Sequence, residues 1–153
     1  ESLKPFFTPT HLGGVNYVDE NNNYWIEEYI VHPPTHILNG FIWGLWGVYD
    51  HTLQFNDEKV ITLFKQYIRT LVKELDSYDN GFWSLYEHSG TWLKMITSSF
   101  YHKLHIVQLR VMYALTSENI FNEKAKKWED YLSKPFNRKR AFIQKAIFKV
   151  LYY

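Results

Sequence analysis

The strongest constraint on the fold is an apolar run, Ile37 to Tyr49, that follows a double proline at Pro33-Pro34. Its apolar residues recur at three- and four-residue intervals, the spacing of a helix that is buried on most of its surface. Thr35 is of a type favoured at the N-cap, so we predict a helix from about Thr35 to His51. Three glycines fall on one side of this helix, where another segment or a ligand can approach closely: Gly40, Gly44 and Gly47. Close packing of a neighbouring element is the simpler explanation.

Four further segments show helical periodicity. We predict helices from Asn56 or Asp57 to Asp76, Ser99 to Leu115, Asn119 to Leu132, and Asn137 to Tyr153. The first has a clear inward stripe that includes Val60, Leu63, Tyr67 and Leu71. For the second we expect Leu104, Val107, Gln108, Val111 and Leu115 to face inward. The last is basic and amphipathic, and its predicted apolar face consists of Phe142, Ile143, Ala146, Ile147 and Val150.

The remaining segments are rich in turn formers. Residues 1–23 are predicted to be an irregular lead-in, because prolines, paired glycines and an asparagine cluster interrupt them. Tyr24–Val31 and Phe82–Tyr86 are expected to be short extended stretches. We therefore predict one domain, residues 1–153, of the all-α class. Its antiparallel helical hairpins would form an incomplete (α/α) toroid-like domain.

The charge distribution limits the kinds of partner. The chain has a net charge of +1, but residues 134–153 contain six Lys or Arg and no Asp or Glu. The rest of the chain is therefore net acidic, which disfavours nucleic acid as a partner. For the basic helix, docking on the domain is the first expectation, with a membrane surface or an anionic glycan as alternatives. No run is long enough to span a bilayer, and residues 1–10 lack the pattern of a secretory signal.

Composition allows two roles for the aromatic residues, which make up 19% of the chain. They can fill a core, or they can line a sugar-binding cleft, because their rings present flat apolar faces. Cysteine is absent, so neither disulfides nor thiolate metal sites are expected. His102 and His105 lie about one helical turn apart, but no third ligand stands at a confirming spacing, so we expect no zinc site.

Several acidic and aromatic residues fall in short segments. In order, these are Trp25-x-Glu27-Glu28-Tyr29, Leu38-Asn39-Gly40-Phe41, Leu45 to Tyr49-Asp50, Tyr78-Asp79-x-Gly81 with Tyr86, Tyr101-His102-x-x-His105-Ile106-x-Gln108-Leu109, and Trp128-x-x-Tyr131-Leu132. Over about residues 24–133 they resemble the C-terminal domain of glucuronyl C5-epimerases, the enzymes that act on heparosan and heparan sulfate precursors. The resemblance implies a toroid-like helical domain that epimerises D-glucuronate to L-iduronate in a polymer without a cofactor.

The resemblance also implies functional residues. Glu28, Tyr29, Tyr86 and Tyr101 match the catalytic positions of the family. Inversion at C5 requires acid and base groups on both faces of the sugar, together with stabilisation of the charge that builds up on the carboxylate. Glu28 is the better candidate base or proton relay, and the tyrosines are natural proton donors. Asn39, His102 and His105 are candidates for binding the carboxylate or hydroxyls of the substrate.

These residues are also compatible with structural roles and with two further functions. Adjacent glutamates are most often solvated, and tyrosines in an aromatic-rich chain are most often core rings. A polysaccharide lyase shares proton abstraction at C5 and then eliminates the C4 substituent. A non-catalytic glycan-binding module is the third hypothesis, because the family places an arginine just after the position of Tyr86, where this chain has Glu87. The expected partners are thus an acidic polysaccharide and, in a homodimer, a second copy.

Overall fold

The computed structural model describes residues 3–152 and is mostly helical, as the sequence predicted. Its residues cluster into two compact units, Glu1–Glu74 and Leu75–Tyr153. The single domain and the toroid-like arrangement stay predictions, and each unit is described by itself below.

The first unit combines a small sheet with two long helices. The predicted irregular lead-in contains regular structure, namely a short helix, a 3₁₀ turn and a strand. Tyr24–Ile26, a shorter stretch than predicted, forms a second strand that pairs antiparallel with the first and sets Trp25 opposite Tyr17. The elements are α1 (Lys4–Phe7), the 3₁₀ turn Thr10–Leu12, β1 (Asn16–Val18), β2 (Tyr24–Ile26), α2 (Leu38–Gln54) and α3 (Glu58–Glu74).

Helix α2 begins three residues later than predicted. Its N-cap is Ile37, which has no capping side chain, so the prediction of Thr35 as N-cap is wrong. The apolar side of the helix is fully buried, as its periodicity predicted: Leu38, Phe41, Ile42, Leu45 and Val48. In α3 four residues of the predicted stripe are buried as well: Val60, Leu63, Tyr67 and Leu71. The carboxylate of Asp57 accepts a hydrogen bond of 2.9 Å from the backbone N–H of Lys59.

The second unit contains three long helices whose bounds lie within two residues of the predictions. It begins with the 3₁₀ turn Leu75–Tyr78, where the periodicity predicts the end of α3. Helices α4 and α5 pack against each other and are followed by a basic helix. The helices are α4 (Ser99–Thr116), α5 (Asn119–Ser133) and α6 (Pro135–Tyr152). Tyr153, the predicted end of the last helix, lies outside the described residues.

The inward faces of α4 and α6 differ from the predictions. In α4, Val107 is 55% exposed, while polar His102 and His105 are fully buried beside Leu109 and Met112. In α6 the buried residues are Ala141 and Phe148, whereas all five residues of the predicted apolar face are exposed: Phe142, Ile143, Ala146, Ile147 and Val150. Successive side chains of a helix are about 100° apart around its axis. If the buried face is assigned one residue away from its true position, the predicted face therefore points to solvent. Within residues 3–152, no helix is long and apolar enough to cross a membrane.

Candidate functional site

The rings of Tyr86 and Tyr101 meet edge to face in the second unit. Their centroids are 5.3 Å apart and their planes are inclined by 80°. Both side chains are half-buried, so each ring is held by packing while part of it reaches the surface. The structure thus brings together two of the four predicted catalytic residues, although fourteen residues separate them in the sequence.

Backbone hydrogen bonds connect the segments that carry these tyrosines. The N–H of Tyr86 donates to the carbonyl of Met95 at 2.8 Å, and Leu85 and Ile96 form an antiparallel bridge. Three residues further on, Ser98 caps α4 by accepting a hydrogen bond of 3.3 Å from the N–H of Tyr101. Capping satisfies one of the free N–H groups at the helix start. Residues 95–98 therefore connect the two tyrosines through hydrogen bonds.

His102 and His105, on the helix that carries Tyr101, form a buried hydrogen-bond network with Ser84. The N–H of Ser84 donates to Nδ1 of His102 at 3.2 Å, so Nδ1 is an acceptor and Nε2 carries the proton. Nε2 then donates to the carbonyl of Trp128 at 3.0 Å. The hydroxyl of Ser84 lies 2.8 Å from Nδ1 of His102 and 3.2 Å from Nδ1 of His105. Both imidazoles are therefore held in fixed orientations.

Burial keeps these two histidines neutral. It lowers the pKa of His102 to about 4, although the hydrogen bond to Trp128 and the charge of Asp79 act in the opposite direction. Burial and the neighbouring His102 lower the pKa of His105 to about 3. The ring of Trp83 stacks on His102 at 3.9 Å. Neither histidine is exposed, so the geometry suits them to supporting α4 rather than to contacting a ligand.

Asp79, in the predicted Tyr78-Asp79-x-Gly81 segment, ties the turn to α5. It accepts hydrogen bonds from the N–H of Gly81 at 2.9 Å and from the hydroxyl of Tyr131 at 3.2 Å. Lys124 and Lys127 lie 3.2 Å and 2.9 Å from its carboxylate. Burial acts to raise the pKa of Asp79, but the hydrogen bonds and these cations hold it below its usual value. This part of the motif is therefore structural.

In the first unit, Glu28 lies against the glycine-bearing side of α2. A Cβ atom added to Gly40 would stand 2.3 Å from Oε2 of Glu28. Ile26 occupies the equivalent place over Gly44, where an added Cβ would stand 2.9 Å from two of its methyl carbons. Two glycines thus permit the close approach that the sequence predicted, and the approaching groups are side chains of β2 and the segment after it. Gly47 faces open space.

Tyr29 lines a groove of about 500 Å³ in the first unit. Its side chain is 55% exposed, and His11 and Tyr17 also line the groove. Glu28 is not among the residues that line this groove. The two adjacent candidates therefore lie in different surroundings, at a bend of the chain after β2.

Glu27 has a structural role that the sequence did not reveal. Its side chain is almost fully buried, and its carboxylate hydrogen-bonds to Nδ1 of His36 and accepts from the N–H of His36 at 3.1 Å. The His36 ring stacks on Trp25 at 4.1 Å. Glu27 therefore fixes both ends of the loop between β2 and α2. No alternation in the sequence marks this role, since Trp25, Ile26 and Glu27 are all buried.

The last candidate, Asn39, is the second residue of α2 and is 7% exposed. A role in substrate binding stays a prediction for this residue. Among residues 3–152, no group of three or more His, Asp or Glu side chains is arranged to hold a metal ion.

The mostly helical class of domain is the one that the sequence predicted, and its second unit brings together two of the predicted catalytic tyrosines. The chain belongs to the family described as the D-glucuronyl C5-epimerase C-terminus, which matches residues 1–130. It is 26% identical over 132 residues to an uncharacterized protein of Methanocaldococcus jannaschii, covering 84% of this chain and 42% of that protein. It is 25% identical over 146 residues to the D-glucuronyl C5-epimerase of Caenorhabditis elegans, covering 86% of this chain and 24% of that enzyme. The chain thus spans less than half the length of either relative.

Proposed function

We propose that this chain is a uronyl C5-epimerase domain that converts D-glucuronate to L-iduronate residues in an acidic polysaccharide. The contact between Tyr86 and Tyr101 carries the proposal, because it brings together two half-buried residues that match the family's catalytic positions. The relative from C. elegans, which bears the name of this activity, supports the same assignment.

The reaction moves one proton off C5 and returns another to the opposite face. The C5–H bond breaks, the proton passes to a base, and the electron pair is delocalised into the uronate carboxylate. A new C5–H bond then forms with a proton from an acid, so no oxidant, reductant or cofactor is consumed. Tyr86 and Tyr101 would serve as proton-transfer groups, because phenols can donate and, when deprotonated, accept protons.

The remaining candidates take different parts in the proposal. Glu28 is the proposed base or proton relay, and Tyr29 is a proposed acid–base group on an exposed segment. Asn39 is a proposed contact for the substrate. We reassign His102 and His105 as positioning residues, because both are fully buried on the helix that carries Tyr101.

Incubation with heparosan in heavy water tests the proposal. We expect deuterium at C5 of the uronate, together with iduronate, both measured by NMR. An unsaturated uronate, detected by its ultraviolet absorbance, would indicate a lyase instead. If neither product forms while the polymer still binds, the chain is a glycan-binding module and the epimerase proposal is wrong.

A homodimer is also part of the proposal. Large rings are exposed on the second unit, and a second copy would cover some of them: Trp92, Phe100 and Phe136. Sedimentation equilibrium gives the mass directly, and a monomer at all concentrations would contradict this point.

A further inference from the structure

The second unit contains a cavity of about 310 Å³ between residues 97–99 and α6. Its polar lining consists of three hydroxyl side chains and two lysines, and no carboxylate lines it. The polar residues are Thr97, Ser98, Ser99, Lys145 and Lys149. The other three lining residues are apolar: Ala141, Phe142 and Ala146. Because both charged groups of the lining are cations, the cavity is suited to a small negatively charged group.

The two lysines form a cation pair without a counter-charge. Nζ of Lys145 donates to the carbonyl of Ile96 at 3.1 Å, and neither lysine forms an ion pair with a carboxylate within residues 3–152. Burial, and secondarily the charge of Lys149, lower the pKa of Lys145. A half-buried ammonium beside a like charge is unfavourable unless an anion joins it.

The hydroxyl wall adds donors next to the lysines. Ser98 accepts a hydrogen bond from the N–H of Tyr101, and its own hydroxyl proton has no acceptor among the described residues. Ser99 begins α4, whose eighteen residues place partial positive charge at this end. The helix end contributes, but the lysine pair and the cavity carry the argument.

We infer that this cavity binds one oxyanion, a carboxylate or a sulfate group, held by Lys145 and Lys149 and by the hydroxyls of Ser98 and Ser99. Both lysines lie beyond the residues that match the family, so family membership does not imply this site. Ser98 lines the cavity and also accepts the hydrogen bond from the N–H of Tyr101, so the two places share a residue. If the proposed function holds, on which this last step rests, the oxyanion is an acidic group on a sugar unit next to the reacting one.

Titrations followed by NMR test the inference without requiring turnover. Sodium sulfate and sodium glucuronate are the probes, and glucose is the neutral comparison. We expect sulfate, glucuronate or both to shift the backbone amide signals of Ser98, Ser99 and Lys145, while glucose leaves them unchanged. The stronger of the two anions identifies the group that the cavity prefers.

Two variants with matched loss of charge decide the outcome. Lys145→Gln with Lys149→Gln should weaken anion binding about tenfold or more, because charge-assisted hydrogen bonds are lost. Arg138→Gln with Lys139→Gln removes the same charge from exposed positions of α6 outside the cavity and should bind as the wild type does. Lys149→Gln alone, at an exposed position, gives the same test if the double variant is unstable.

Equal weakening in both double variants, equal binding of glucose, or absence of binding by both anions would overturn the inference. A failure of this inference can be distinguished from a failure of the proposed function. Anion binding without epimerisation would refute the epimerase only. Epimerisation without anion binding at the lysines would refute the cavity only.

Discussion

Tyr86 and Tyr101 contact each other edge to face, with ring centroids 5.3 Å apart, although one lies in a loop and the other in the first turn of α4. Edge-to-face pairs of this kind contribute about 0.5–1.5 kcal/mol beyond the area they bury. The contact depends on the rings and not on the hydroxyls. Packing and proton transfer can therefore be separated by removing only the hydroxyl groups.

We predict that Tyr86→Phe and Tyr101→Phe each lower the rate of deuterium exchange at C5 by at least about 100-fold, the usual contribution of general acid–base catalysis. Both variants keep their rings, so the free energy of unfolding should stay close to that of the wild type. Tyr113→Phe, at a more exposed position on α4, is the matched control and should exchange at the wild-type rate. Wild-type exchange in both site variants would refute the assignment.

The contact between the tyrosines could not be predicted from the sequence. Periodicity predicts α4 and α5 to within two residues, because their apolar spacing is local information. The approach of Tyr86 to Tyr101 depends on the bridge of Leu85 with Ile96, in a segment without periodic signal. Resemblance to a family indicates both residues, but only the fold shows that they touch.

Polarity is a poor guide to the buried faces of these helices. It predicts contact with substrate for His102 and His105, yet both share a helix face with Leu109 and Met112. Their spacing of three, four and three residues along that face indicates burial. Similarly, the sequence alone could not tell which of Glu27 and Glu28 is buried, because that depends on which side of the strand the core lies.

The glycines of α2 give a second prediction. Gly47→Ala should raise the free energy of unfolding by up to about 1 kcal/mol, because alanine favours helix and the added methyl meets open space. Gly44→Ala should lower it by about 1 kcal/mol or more, because the methyl overlaps buried Ile26. Urea unfolding of the two variants measures the contrast, and equal stabilities would contradict the close packing of Ile26 on Gly44.

Substitutions at Glu27 and at Glu28 should have different effects, the first on stability and the second on activity. Glu27→Gln should lower the free energy of unfolding by about 1–3 kcal/mol, since a buried carboxylate loses its charge-assisted bond to His36. Glu28→Gln, at an exposed position, should leave stability unchanged and reduce C5 exchange about 100-fold. Gly40→Ala displaces the Glu28 carboxylate and should likewise reduce exchange.

Each of these two glutamate variants is the control for the other. If Glu27→Gln unfolds at the wild-type urea concentration, the buried contact to His36 does not stabilise the loop. If Glu28→Gln exchanges deuterium at the wild-type rate, Glu28 is neither base nor relay.

The buried histidines predict a dependence of stability on pH. The pKa values of about 4 for His102 and about 3 for His105 lie below the ordinary 6.5. Between pH 6.5 and 4 the unfolded chain therefore binds protons that the folded chain excludes, so stability is full above pH 6.5 and falls as the pH drops. Each histidine should contribute a slope of about 1.4 kcal/mol per pH unit in this window. Urea unfolding at several pH values measures that slope. The variant His105→Leu should reduce the slope by the contribution of one histidine. A flat profile from pH 7.5 to 4.5, or a variant with the wild-type slope, would show that these imidazoles are not held neutral by the fold.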